Sequence, residues 1–243
     1  MSASPQIAQH LATELSPLGW VTDLLVAGSV ATGDYRPGVS DLDLVAIVDG
    51  PVEEERQATL TTIHRRLDDG PGRGLHLGCV YVAQARLLDP LAEHPTWTHG
   101  AMVGRILSGI TRAELVLHGH ALFGRPPDKM LPPMSVDDVR EAARAEITGY
   151  WARAARHPQW WLNPVIADLG LTSMARGRHA LASGALLTKT DAIERANAPS
   201  WLIEQLRARR LGEDVTSPRL RTALIAWNDT RRTVAAARRL ITR

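Results

Sequence analysis

The sequence has a single cysteine, Cys79, in 243 residues. One cysteine excludes an internal disulfide framework and fits a reducing compartment. Cys79 is read as a small buried apolar residue. Long apolar runs are absent too: no stretch approaches the roughly 20 residues needed to span a bilayer, and no membrane contact is expected. The first ten residues, MSASPQIAQH, lack a basic region followed by a long apolar one, so no secretory signal is read and a cytoplasmic protein is expected. Lysine occurs only at Lys129 and Lys189, which leaves positive charge almost entirely to arginine. His94, His99, His118 and His120 lie close in sequence without the spacing of a zinc site, and none is expected.

Hydrophobic residues make up 44% of the chain and charged residues 22%, a balance that excludes a disordered protein. The length allows one large domain or two small ones. The net charge of +2 is uneven. Residues 201–243 carry ten arginines against Glu204, Glu213, Asp214 and Asp229. A basic tail can meet nucleic acid, but a solvated helix face in an arginine-rich chain is the preferred reading. No nucleic-acid partner is expected.

The informative stretch is Gly28 to Leu44, GSVATGDYRPGVSDLDL. Apolar runs flank it, Leu24 to Ala27 before and Leu44 to Val48 after, and both read as strands. Asp41 and Asp43 are two apart, which on a strand puts both carboxylates on one face. Like charges this close repel unless a cation stands between them. Mg²⁺ suits the place, since it prefers oxygen ligands and is commonly held by one or two carboxylates plus substrate phosphates. Gly28 lets backbone N–H groups approach a phosphate, and Ser29 adds a hydroxyl. Either half alone is an ordinary loop; the joint pattern is the signal.

The rest reads as alternating elements. Ile7, Leu11 and Leu15 mark a first helix, and Val21 to Ala27 a strand. A strand over Asp41 to Val48 ends at Asp49-Gly50-Pro51. A helix follows over Glu53 to Leu67, with Leu60, Ile63 and Leu67 on one face. A strand over Leu75 to Val82 places His76, Gly78 and Val80 on one face and Cys79 and Tyr81 on the other. Residues 87–110, with Pro90, Pro95 and Trp97, read as irregular. Four prolines between 126 and 133 mark a domain boundary, giving domains 1–130 and 131–243. The second is helical throughout, opening at the capping signal of Ser135 and Asp138.

The pattern Gly-Ser, a Gly-containing spacer, then Ser-Asp-x-Asp-Leu resembles the signature of the polymerase-β-type nucleotidyltransferases. The resemblance implies an α+β fold: an N-terminal mixed sheet with flanking helices, then a C-terminal helical bundle. It also implies Mg²⁺ at Asp41 and Asp43, and transfer of a nucleoside monophosphate from a triphosphate held by Gly28 and Ser29. That family usually carries a third carboxylate on a later strand, as a metal ligand or as the base for the acceptor hydroxyl. Here the matching slot holds His76. An imidazole can take a proton near neutral pH but is a poor Mg²⁺ ligand. Asp89 or Glu93 is the alternative carboxylate, and an impaired site is the other.

Residues 169–196, LGLTSMARGRHALASGALLTKTDAIERA, resemble the helical domain of aminoglycoside adenylyltransferases of the streptomycin/spectinomycin type. Arg176, Gly184 and Lys189 match the pattern. The resemblance implies that Lys189, and with it Arg176, meets the phosphates of ATP. It also implies a cationic or hydroxyl-rich small-molecule acceptor, with Asp168, Glu146 and Asp191 as acidic candidates and Trp151, Trp160 and Trp161 as flat surfaces. Three readings stay open: adenylylation of an aminoglycoside-like hydroxyl, the same chemistry on a lincosamide or a protein side chain, and a nucleotide-binding module impaired at His76.

Overall fold

A computed structural model describes residues 5–239. The chain divides into two compact units, Met1–Pro133 and Met134–Arg243. The first is built on a six-stranded sheet in the order β5-β4-β3-β2-β1-β6. Its elements, in chain order, are α1 (Gln6–Leu15), β1 (Val21–Val26), the single turn α2 (Gly28–Ala31), β2 (Leu42–Val48), α3 (Glu54–Asp69) and β3 (Leu77–Ala83). Then follow β4 (Glu93–Thr98), β5 (Ala101–Ile106), α4 (Gly109–His118) and β6 (His120–Phe123). Only β2 and β3 pair in parallel; the other neighbours are antiparallel, so the sheet is mixed.

The two-residue period of β2 separates two cores. Leu42, Leu44, Ala46 and Val48 join Cys79 and Tyr81 of β3 beneath α1 and α3. Val45 and Ile47 join Leu25, Ala27 and Val82 against Leu115 of α4. Covered on both faces, β2 reads as a nearly continuous apolar run. Helix α1 presents Ile7, Leu11 and Leu15, and α3 presents Leu60, Ile63 and Leu67, at the spacing of one helical face.

The β1–β6 edge is fixed by Asp23, 1% exposed. Its carboxylate accepts the Arg125 backbone N–H at 2.6 Å and the guanidinium at 2.7 and 3.0 Å, with the Thr22 hydroxyl at 2.7 Å. Gly124 lies beside it at φ +79°, where a Cβ would stand 2.7 Å from Asp23 Cα. Burial pushes the Asp23 carboxyl up, but the Arg125 and Thr22 hydrogen bonds outweigh it and hold it below the usual carboxylate range. A lowered folded value means this contribution is complete above the unfolded carboxylate range and is lost as pH falls through the folded value. Asp23→Ala is expected to cost about 2 kcal/mol in urea unfolding at pH 7, because it removes the acceptor of the Arg125 backbone N–H and the Thr22 hydroxyl. The difference from wild type should shrink below pH 4, and a difference that stays constant down to pH 2 would remove the ion pair as its cause.

Several elements differ from the sequence reading. Residues 87–110 are not irregular: β4 and β5 form a hairpin whose turn is His99-Gly100, both at positive φ. That dipeptide is the local signal of such a turn, and Pro95 and Trp97 masked it. Strand β2 starts at Leu42, one residue after Asp41, and β3 starts at Leu77, leaving His76 outside it.

The second unit holds α5 (Val136–Glu146), a π-type turn over Ile147–Trp151, α6 (Ala152–Ala154) and α7 (Pro164–Ser183). It continues with α8 (Lys189–Glu194), α9 (Ser200–Arg210) and α10 (Arg219–Arg239). Ser135 and Asp138 form the reciprocal cap that starts α5. Trp151, Trp161, Leu171, Met174 and Leu202 make the core. Arg178 bonds both oxygens of Asp229 at 2.8 and 2.9 Å, joining α7 to α10. Residues 240–243, which the sequence reading places in the helical domain, lie outside the described range. No helix among the described residues is long and apolar enough to cross a membrane.

Candidate active site

The site residues of the first unit gather where β1 leaves the sheet and β2 enters it. The Ala27 N–H donates to the Asp43 carbonyl at 2.9 Å, so Gly28 emerges beside the Asp43 side chain. Gly28 has φ +58°, and a Cβ there would stand 3.0 Å from Asp43 Cγ and inside the contact radius of its Oδ2. The carboxylate occupies the space that a side chain at 28 would take. Backbone and carboxylate therefore form one cradle, and only glycine permits it.

The spacer holds the cradle's two sides in place. The Asp34 N–H returns to the Ser29 carbonyl at 2.8 Å, and the Thr32 hydroxyl donates to the Gly28 and Ser29 carbonyls at 3.2 and 3.3 Å. Ser40, 1% exposed, closes the second bend by accepting the Arg36 N–H at 3.0 Å. That bend delivers Asp41. The Ser29 hydroxyl reaches the Asp41 carbonyl at 3.5 Å. Asp41 and Asp43 are both exposed, and Asp43 lies at the second position of β2.

The donor set fits a hard divalent cation. It offers carboxylate oxygens open to solvent, and glycine backbone beside one of them. No cluster of three or more His, Cys, Asp or Glu that could hold a metal occurs among the described residues. The protein thus presents two carboxylates rather than a complete cage, the arrangement in which Mg²⁺ shares its shell with substrate phosphates.

His76 is displaced from the position the alternation gave it. It precedes β3 with φ +49°, a left-handed conformation that histidine visits more readily than most residues. Its carbonyl accepts the N–H of Leu42, the residue between the two aspartates, at 3.1 Å. The break in extended backbone removes His76 from the face shared by Gly78 and Val80. Asp89 is bonded by Arg86 at 3.0 Å and by the Leu91 N–H at 2.9 Å, so it is engaged locally. Glu93 lies across Gly104 of the β4–β5 hairpin.

Sequence reasoning missed the polar layer under β3. His64, fully buried on α3, bonds the Tyr81 hydroxyl at 2.7 Å and stacks on Trp97 at 5.0 Å. Burial drives the His64 imidazole down to about 3 and the Cys79 thiol up to about 12, so both are uncharged and inert at neutral pH. The Trp97 indole N–H donates to Asp68 at 2.9 Å. The only sequence hint was a histidine on the apolar face of α3.

In the second unit, Arg176 donates from Nε to the Leu187 carbonyl at 2.9 Å, two residues before Lys189. The two cations therefore belong to one corner, where α7 hands over to α8. The acidic candidates are largely taken. Asp168 receives Arg209 at 2.6 and 2.9 Å; burial pushes its carboxyl up and the arginine only partly offsets this. Asp191 caps α8 with Thr188 at 2.8 and 3.0 Å, and Glu146 accepts the Trp151 indole at 3.4 Å. Trp151 and Trp161 are core residues, and Trp160 stacks on His157 at 4.7 Å.

Residues 6–83, which span α1 to β3 and contain the whole cradle, match the family described as the nucleotidyltransferase domain. That segment of the first unit is thus similar to a nucleotidyltransferase domain. The fold of the whole chain is that of a solved adenyltransferase. The crystal structure of spectinomycin adenyltransferase AAD(9) from Enterococcus faecialis, with ATP and spectinomycin, superposes with a TM-score of 0.72. The match covers 94% of this chain and 98% of that one at 15% sequence identity. No curated protein matches the sequence significantly. The fold expected from the two resemblances, mixed sheet then helices, is therefore the fold found.

Proposed function

We propose that this protein transfers AMP from ATP to a hydroxyl of an aminoglycoside-like small molecule, in the cytoplasm and without a nucleic-acid partner. The observation that supports the reading is the close approach of the Asp43 carboxylate to the Gly28 backbone, where not even a Cβ would fit. Asp41 and Asp43 would hold Mg²⁺. Held there, the ion would supply charge that offsets the phosphates and favours in-line attack. The Gly28 and Ser29 N–H groups and the Ser29 hydroxyl bind and orient the triphosphate. The acceptor oxygen bonds to the α-phosphorus as the α–β bridge breaks, and pyrophosphate leaves with the bridging electron pair. The resemblance of residues 169–196 names Lys189 and Arg176 as the further cations for ATP phosphates. His76 receives the proton of the acceptor hydroxyl, the role that a carboxylate has in the family resembled. The test is pyrophosphate release from ATP and Mg²⁺ with streptomycin or spectinomycin; release with neither compound, while another hydroxyl compound reacts, would move the acceptor to a lincosamide or a protein.

A second reading, nucleotide binding without efficient transfer, draws on the left-handed backbone of His76. His76→Glu separates the two. Restoring a carboxylate in an impaired site should raise turnover about tenfold or more, whereas replacing a working imidazole base should lower it by a similar factor.

A further inference from the structure

Charge is divided unequally between the two units. Residues 134–243 carry eighteen lysines and arginines against eleven carboxylates, and residues 1–133 carry ten against fifteen. The basic excess gathers on one stripe of α10. Arg221, Arg231, Arg232 and Arg238 lie on its exposed side, away from the buried Ala226, Thr233 and Ala237, along about 25 Å of helix. Asp229, the only acidic residue of α10, is buried and held by Arg178. The Trp227 indole N–H donates to the Ala155 carbonyl at 2.8 Å, which brings the exposed Arg156 alongside. None of these five arginines has a carboxylate partner among the described residues. The Arg221 and Arg231 guanidiniums lie over the Trp201 and Trp227 rings, 5.0 and 4.8 Å from the ring centres, so they are placed in advance. The first unit holds the opposite surface. Asp49, Glu53, Glu54 and Glu55 are exposed, fall within seven residues and have no basic partner among the described residues. Arg56 fixes this loop through the Asp49 and Pro51 carbonyls at 2.6 and 3.1 Å and by lying over Trp20 at 4.7 Å, and it bonds none of the four carboxylates.

We propose that the α10 stripe of one molecule docks on the Asp49–Glu55 loop of a second copy, so that the protein associates with itself through charge. The complement of the stripe is carried by the same chain: the signs are opposite, neither surface is neutralised, and both are held rigidly. Side chains and loops that are already fixed lose little freedom on contact. Leu224 is the only large apolar residue exposed on the stripe, so charge rather than apolar burial sets the affinity. Exposed ion pairs are individually weak, so several act together and salt disperses them. The contact joins two unlike surfaces, a head-to-tail arrangement. Asp49 stands about 20 Å along β2 from Asp43, so the docking loop is separate from the nucleotide cradle. Self-association of this kind is independent of the transferase reaction.

Sedimentation velocity on the full chain decides this, over a range of protein concentrations in about 0.1 M and about 1 M NaCl, where charge is felt over about 10 and 3 Å. The expected result is a concentration-dependent associated species in low salt, with the concentration of half-association raised about tenfold or more in high salt. Arg231→Glu with Arg232→Glu should raise it about tenfold in low salt, and Glu54→Lys with Glu55→Lys should do the same. All four changes in one chain exchange the signs of the two surfaces and should bring association back to within about threefold of wild type. Glu213→Lys with Asp214→Lys makes an equal change of net charge at another exposed site and should leave association unaltered. A protein that is monomeric at every concentration in low salt overturns the proposal. So does a four-residue exchange that associates no better than either pair, or a control that disrupts as much as the α3 reversal. If the α3 reversal does not fold by circular dichroism, Glu54→Gln with Glu55→Gln removes the charge alone and should raise half-association about threefold. A monomer that binds labelled single-stranded RNA, and loses it in the Arg231→Glu, Arg232→Glu variant, gives the stripe to nucleic acid and overturns self-docking.

Discussion

Asp43→Ala is expected to lower nucleotide transfer by about a thousandfold or more while leaving the melting temperature within a degree or two. The two halves of this expectation come from different properties of one residue. Asp43 sits at the second position of β2 with its side chain exposed, so its removal opens no cavity in the core. Its carboxylate is one of two that would hold the metal, and loss of metal-borne charge stabilisation is worth several kcal/mol, a factor of ten for each 1.4. Asp43→Asn keeps the shape and should lose nearly as much, because a neutral amide cannot balance the cation. Titration of ATP with and without Mg²⁺ gives a second readout. Wild type should bind the complex more tightly than free ATP, and Asp43→Ala should show no such difference. A variant that retains a tenth of wild-type turnover would remove Asp43 from the chemistry.

The parts of the site visible in the sequence were those fixed by local chemistry. Gly28, Ser29, Asp41 and Asp43 stood out because phosphate approach needs glycine and a divalent ion needs oxygen, and both demands act within seventeen residues of chain. The two-sided burial of β2 was legible for the same reason, as an unbroken apolar run. His76 was misplaced because the alternation of a strand was extended one residue beyond its start. No propensity announces a left-handed residue there, and the Leu42 hydrogen bond that holds it comes from 34 positions away. Asp68 was invisible because its partner Trp97 is brought by a hairpin that the prolines disguised. Asp168 and Asp191 looked available because charge on a helix says nothing of which arginine or cap will claim it. Local rules single out the residues proposed to touch the reactants; the packing behind them depends on long-range contacts.

Gly28→Ala provides the test of the cradle itself, because it adds one methyl group at a place where two penalties meet. The backbone at φ +58° disfavours any side chain by about 1–2 kcal/mol. The new Cβ also lands on the Asp43 carboxylate, which must rotate away or push the α2 turn outward. Either movement widens the distance between the Ser29 N–H and the acid proposed to hold the metal, so the triphosphate cannot satisfy both. The expected outcome is at least a tenfold loss of Mg²⁺–ATP affinity by calorimetry and about a hundredfold loss of turnover, since misplacement by an ångström is amplified in the transition state. Gly33→Ala is the matched control. Gly33 has φ +73° in the same spacer, but nothing lies within 4 Å of its Cβ position. It should share the backbone strain, and with it a loss of stability of similar size, yet bind Mg²⁺–ATP as the wild type does. If the two variants lose affinity equally, strain in the spacer explains both and the contact with Asp43 has no special part. If neither loses affinity, the triphosphate binds elsewhere on the chain.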